Sequence, residues 1–282
     1  MFNSVTIVGV GLISGSFSLA LKEKGLAKNI IGVSRTQTSI SKALELGIID
    51  EGLPIEEAVK KSDLIYVAIP VDVTVPVMKQ IMDMVTDKQI VADAGSTKNA
   101  LCTALKDHPM RTRFVATHPM WGTEYSGPEA AVRDAFIGRA CVICEKEKSD
   151  PHAVNTIESV YRQLGMHIIY MDADSHDLHA AYVSHISHIT SFALANTVLE
   201  KEKEEDAIFE MASAGFESTV RLAKSNPAMW IPIFMQNKDN VLDVLNEHIS
   251  QLRKFKSCLE KENYEYLAEL IENANKIQKI IK

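Results

Sequence analysis

Two hydrophobic rhythms divide this chain. Through the first 171 residues, short β-rich runs, apolar throughout, recur at 5–10, 30–34, 64–70, 89–93, 114–118, 140–144 and 167–170. Stretches with helical spacing separate most of them, at 15–24, 39–46, 73–84 and 150–164. Strands that are apolar on both faces belong in a sheet covered on both sides, and alternation with helices implies parallel order. From 172 onward no strand candidate remains. Helical periodicity there predicts 173–200, 206–213, 217–224, 227–236, 238–260 and 262–281. The expected architecture is therefore α/β: a doubly wound, mostly parallel sheet over 1–171, then an all-helical domain over 172–282. The helical half must bury its apolar faces, such as Val241, Leu242, Leu245, Ile249, Leu252 and Phe255. Packing against a second copy, as a homodimer, is the simplest outlet.

Composition narrows the class. A chain of 282 residues suits two modest domains, and 46% hydrophobic with 24% charged residues is an ordinary globular balance. The net charge of -7 provides no basic field for nucleic acid or an anionic membrane surface. No apolar run reaches the length of a membrane span, and the N-terminus lacks signal-peptide regions, so a cytoplasmic location is expected. Cysteines stand at 102, 141, 144 and 258. Cys141 and Cys144 form a C-x-x-C within a strand-like run, where residues three apart point to opposite faces. With no second pair to complete a zinc site, they read as buried free thiols.

The first strand runs into Gly9-Val10-Gly11-Leu12-Ile13-Ser14-Gly15, a glycine turn opening a helix. Gly9 permits the tight turn, and Gly11 leaves room for a pyrophosphate against the backbone. The helix start at Leu12 and Ile13 offers free N–H groups and a partial positive charge. Ser14 stands where a third glycine is usual, and is small enough for close helix–strand packing. In a β-α-β rhythm this is a Rossmann-type dinucleotide site. The second strand ends Ser34-Arg35-Thr36, without the carboxylate that would bond a ribose 2′-hydroxyl and repel a 2′-phosphate. Arg35 can pair with that phosphate, and Ser34 and Thr36 can donate to it, which favours NADP over NAD.

Three segments carry candidate chemistry. Asp93-Ala94-Gly95-Ser96-Thr97-Lys98 follows the fourth strand candidate, and Thr117-His118-Pro119-Met120-Trp121-Gly122-Thr123-Glu124 follows the fifth. Both should lie at the carboxyl edge of the sheet, Asp93 beside the cofactor. His118 can act as acceptor or base, Ser96 can orient the histidine or the substrate, and Lys98 can hold a carboxylate or cap the sheet edge. On the first long helix, Asp177, Ala181, Ser184, His188, Ser191 and Ala195 are spaced to share one small, polar face. Leu178, Tyr182, Ile189 and Phe192 form a neighbouring stripe expected to face the core, with His185 as a hydrogen-bonded core histidine beside it. Arg221 can bind a substrate carboxylate in bidentate fashion, or pair with Glu217 one turn earlier.

The ordered motifs GVGLISGS, DAGSTK, HPMWGTEYSG, AAYVSHISH and GFESTVRLAKSNPAMW together resemble the prephenate/arogenate dehydrogenase family over nearly the whole chain. The resemblance implies a Rossmann-like domain followed by a helical dimerisation domain. It also implies an NAD(P)-dependent, metal-free oxidoreductase of tyrosine biosynthesis that oxidises and decarboxylates prephenate or arogenate. By motif, His118 resembles the catalytic histidine and Ser96 its serine partner. Ser184 and His188 resemble substrate contacts, Arg221 the carboxylate-binding arginine, and Glu124 an acidic residue at the entrance. The chain departs from the family pattern at Ser218 and Val220, where an aspartate and a threonine are common, and at Ser187, where a proline is common. Neither a fused mutase nor a regulatory domain is expected. Two other readings stay open. One is a two-domain hydroxyacid dehydrogenase or reductase, and the other is a cofactor-sensing protein without turnover, which should lack a base such as His118.

Overall fold

The computed structural model describes residues 1–203 and 208–280. The described chain divides into two compact units, Met1–Asn237 and Lys238–Lys282. The first unit opens with β1 (Phe2–Val8), α1 (Leu12–Glu23), β2 (Ala27–Val33), α2 (Gln37–Glu45), β3 (Glu51–Gly52), α3 (Ile55–Lys61) and β4 (Leu64–Val67). It continues with α4 (Val71–Met84), β5 (Ile90–Asp93), α5 (Asn99–Leu105), β6 (Phe114–Pro119), β7 (Ala140–Cys144), α6 (Pro151–Gln163) and β8 (His167–Met171). Helices α7 (Ala173–Ala180), α8 (Ile186–Glu202), α9 (Ala214–Val220) and α10 (Pro227–Gln236) complete it. In the second unit α11 (Lys238–Glu260) packs on α12 (Tyr264–Asn275).

The strands form one sheet in the order β3-β2-β1-β4-β5-β6-β7-β8. Every pair is parallel except β6 with β7. Order reverses between β1 and β4, the kind of switch point at which doubly wound sheets open a crevice at their carboxyl edge. Alternation places residues on both faces. Leu64 and Tyr66 enter one core cluster with Phe17 and Ile30, while Ile65 and Val67 enter the opposite one with Met78 and Phe114. Cys141 and Cys144 divide between the same two clusters, both free and buried, as their spacing requires.

Helix starts follow local chemistry. Asp150 accepts from the Ala153 N–H before Pro151 opens α6, and Asp172 accepts from Ser175 N–H at the head of α7. Asn226 caps α10 in the same way, with Pro227 at its first position.

The periodic segment 173–200 is not one uniform helix. A π-turn at Ala181–His185 interrupts it between α7 and α8. The expected core stripe holds only in part: Phe192 packs against a buried cluster, but the stripe's first residues do not face the core. Leu178 and Tyr182 are exposed, whereas Asp177, Ala181 and Ser191 on the small polar strip are buried. Periodicity identifies two faces but not which one meets the sheet domain. The predicted helix at 206–213 begins on residues outside the described set, and its described part holds only a short 3₁₀ turn at Phe209–Met211. Likewise, residue 281 of the predicted 262–281 helix lies outside the described residues.

Candidate active site

At the carboxyl end of β1, Gly9 takes a positive φ of 90°. A Cβ there would strike the Ala68 carbonyl and stand 2.7 Å from the Ile69 side chain, so this turn requires glycine. Gly11 precedes α1 and has no atom within 4 Å of where a Cβ would stand. That open space over the first turn of α1, which carries no acidic residue, fits a dinucleotide pyrophosphate met by the N–H groups of Leu12 and Ile13. Ser14 staples the turn: its Oγ donates to the Gly9 carbonyl and accepts from the Gly11 N–H at 3.0 Å. Ser14 is fully buried, and at Gly15 beside it a Cβ would lie 2.8 Å from Ala131 Cβ.

Ser34, Arg35 and Thr36 follow β2 directly, at the ribose end of such a site. Arg35 is exposed. Thr36 Oγ1 is already engaged, accepting from Ser39 N–H at the start of α2 and donating to Ser39 Oγ at 2.8 Å.

Two residues expected in the site belong to its frame instead. Lys98 is fully buried, and its ammonium bonds the Asp93 carboxylate and the Thr117 carbonyl, the latter at 2.8 Å. It caps the sheet edge and cannot meet a substrate carboxylate. Asp93 is equally buried. Its carboxylate takes N–H groups from Gly95 and Thr117 besides Lys98, so it is engaged in the frame of the sheet edge. Thr117 extends this lattice through Tyr161 OH to Tyr66 OH, binding β4, β5, β6 and α6 together.

His118 lies near the end of β6 and is half-buried. Its Nδ1 is 2.8 Å from His176 Nε2, and His176 Nδ1 is 2.7 Å from Asp177 Oδ1. The Asp177 carboxylate in turn accepts the backbone N–H groups of Lys98 (2.7 Å) and Asn99 (3.0 Å) at the start of α5. Ser96 makes no hydrogen bond to His118, so the orienting partner is His176 rather than the expected serine. His118 Nε2 has no hydrogen-bond partner among the described residues. Burial first, then the charges of His176, Lys98 and His185, hold the His118 pKa well below the usual histidine range. The imidazole is therefore a neutral acceptor at physiological pH.

Further along the helix, His185 is a core histidine as expected, bonded to Asn237 Nδ2 at 3.2 Å. His188 donates through Nδ1 to the Ser184 carbonyl at 3.0 Å and stacks on Trp230 at 3.5 Å between ring centres. Burial, opposed by that hydrogen bond, lowers the His188 pKa, and the Arg221 charge adds to the lowering. Arg221 pairs with Glu124 at 2.9 Å and not with Glu217. Thr97 Oγ1 donates to Gln236 Oε1 at 2.7 Å, and Gln236 Nε2 donates to the Val71 carbonyl, which ties α10 to the start of α4 and to the loop after β5. No group of three or more His, Cys, Asp or Glu among the described residues is arranged to hold a metal ion. Sequence spacing pointed to Asp177 but missed His176, whose partner stands 58 positions away on strand β6.

Residues 17–170 match the family described as "Prephenate dehydrogenase, nucleotide-binding domain", and residues 172–273 match "Prephenate dehydrogenase, dimerization domain". The chain is 30% identical to the prephenate dehydrogenase of Bacillus subtilis (strain 168), over 95% of this chain and 73% of that protein. It is similar to the crystal structure of prephenate dehydrogenase from A. aeolicus in complex with hydroxyphenyl propionate and NAD+. The TM-score is 0.91 and the identity 31%, covering 100% of this chain and 99% of that one. It also resembles Synechocystis arogenate dehydrogenase, with TM-score 0.78 and 25% identity over 99% of this chain and 100% of that one.

Proposed function

The chain belongs to the prephenate dehydrogenase family, and on that premise we propose that it converts prephenate to 4-hydroxyphenylpyruvate by oxidative decarboxylation. It is an NAD(P)-dependent oxidoreductase. When bound, the dinucleotide supplies the hydride acceptor. The chain's own task is to align the ring and remove one proton, because aromatisation drives the loss of carbon dioxide. His118 Nε2 accepts the proton of the ring hydroxyl. Ser96, on the turn after β5, is left to contact the substrate. Ser184 and His188 line the substrate's side of the helix, and Arg221 exchanges Glu124 for a substrate carboxylate.

The finer readings are also ours. The exposed Arg35 and the absence of a carboxylate at 34–36 support NADP over NAD. The exposed apolar face of α7 and the π-turn, with Leu178, Tyr182 and Val183, supports a homodimer through a helical domain that begins near 172. A cytoplasmic location accords with free buried thiols and with the absence, among the described residues, of a helix apolar and long enough to cross a membrane.

The observation that carries the proposal is a neutral histidine at the carboxyl edge, engaged at Nδ1 and open at Nε2. Steady-state assays with prephenate and arogenate, each with NAD and NADP, test it. Turnover of prephenate is expected, and His118→Asn should lower kcat by about 10²–10⁴-fold with cofactor affinity unchanged. Full activity in that variant would exclude His118 as the base.

A further inference from the structure

We propose that His176 and Asp177 are positioning residues that hold His118 in the tautomer protonated on Nδ1, so that Nε2 is the atom presented to the substrate. The proposal rests on the reading of His118 as the proton acceptor and adds which atom accepts and what determines it.

An ionised carboxylate only accepts hydrogen bonds. Asp177 already takes two backbone N–H groups, one on each oxygen, from Lys98 and Asn99. Its contact with His176 Nδ1 at 2.7 Å therefore places a proton on that nitrogen. His176 is 2% exposed, and burial lowers its pKa despite the neighbouring carboxylate, so the ring stays neutral and its Nε2 carries a lone pair. That lone pair faces His118 Nδ1 at 2.8 Å. Only one arrangement avoids two lone pairs face to face: His118 Nδ1 donates. The hydrogen bond on one ring nitrogen thus settles the state of the other.

The relay also has a rigid base. Asp177 stands on α7, its backbone carbonyl takes Asn237 Nδ2 at 2.6 Å, and its carboxylate closes onto the first turn of α5. His118 comes from β6, His176 and Asp177 from α7, and the two N–H donors from the segment after β5. Three separate elements must be in place before the base has its working tautomer.

The test reads the tautomer directly. The full-length chain is labelled with 15N-histidine, and a two-bond 1H–15N correlation spectrum is recorded at neutral pH without substrate. The His118 signals are identified by their loss in His118→Asn. A protonated Nδ1 and an unprotonated Nε2 are expected; the reverse pattern, or a mixture, in the native chain would overturn the proposal. In His176→Leu the pattern should become mixed and kcat should fall about a hundredfold, the low end of what a positioned base contributes, with cofactor affinity unchanged. His176→Gln, whose amide oxygen can accept the same N–H, should keep both the pattern and most of the activity. An unchanged His118 pattern in His176→Leu would refute the relay. The native spectrum stands even if a variant folds poorly. Because it involves no turnover, it separates failure of the relay from failure of the proposed reaction.

Discussion

The Asp93–Lys98 and Glu124–Arg221 pairs each join a carboxylate to a cationic side chain, in different surroundings. The first lies at the sheet edge with both side chains fully buried, and further N–H and carbonyl groups complete its hydrogen bonding. In the second, the Glu124 side chain is 11% exposed but the guanidinium is 49% exposed, so the cation can leave from the solvent side. Breaking a buried pair strands a charge in a medium that solvates it poorly, whereas an exposed pair contributes little and can be exchanged. The same attraction therefore makes a fixed frame in one place and an exchangeable latch in the other. Only the latch can release its cation to a substrate carboxylate without disturbing the fold.

The strongest way to break this contrast is Lys98→Met, which leaves the Asp93 carboxylate buried without its cation. We expect a loss of about 3–5 kcal/mol in urea unfolding. A loss below about 1 kcal/mol would mean that the pair is not a frame element.

A smaller effect should come from pH at His185, whose pKa burial depresses from 6.5 to about 4. The unfolded state binds the proton more readily, so stability is complete above pH 6.5 and declines as pH falls toward 4. The decline is at most about 1.4 kcal/mol per pH step from this group. Comparing unfolding curves of the native chain and His185→Gln across pH 4–7 isolates it. Parallel pH dependence in the two chains would contradict the assignment.

The smallest change in stability should follow Arg221→Ala, under about 1 kcal/mol for an exposed pair. Its kcat/KM should nevertheless drop about 10–100-fold, the worth of one charge-assisted hydrogen bond of about 1.5–3 kcal/mol. Unchanged kcat/KM would remove Arg221 from the site; a large loss of stability would make it frame.

These contrasts also mark what the sequence could disclose. The strands and the glycine turn were legible because burial on two faces and the positive φ at Gly9 leave direct traces in residue type. His118 was legible because it follows an apolar run that had to be a strand. Lys98 was left between two roles, carboxylate binder and cap of the sheet edge, because composition does not reveal that Asp93 and the Thr117 carbonyl converge on its ammonium. The helices at Ile55–Lys61 and Asn99–Leu105 went unread, being too short for a period to emerge, and so did the two-residue strand Glu51–Gly52. Nothing local announces that β7 runs antiparallel to β6, or that His176 faces β6. Both are products of topology, which single-sequence periodicity does not encode.

The widened turn at Ala181–His185 adds one residue to a helix that otherwise advances about 100° per residue. Upstream, Asp177 addresses the start of α5; downstream, His188 addresses Trp230. The insertion acts as a phase setting between two customers of one rod. A deletion of a single residue within it would restore an ordinary helix and rotate everything on one side by roughly a quarter turn relative to the other. A side-chain replacement on this helix acts at one address, whereas a change in its length would misalign both at once.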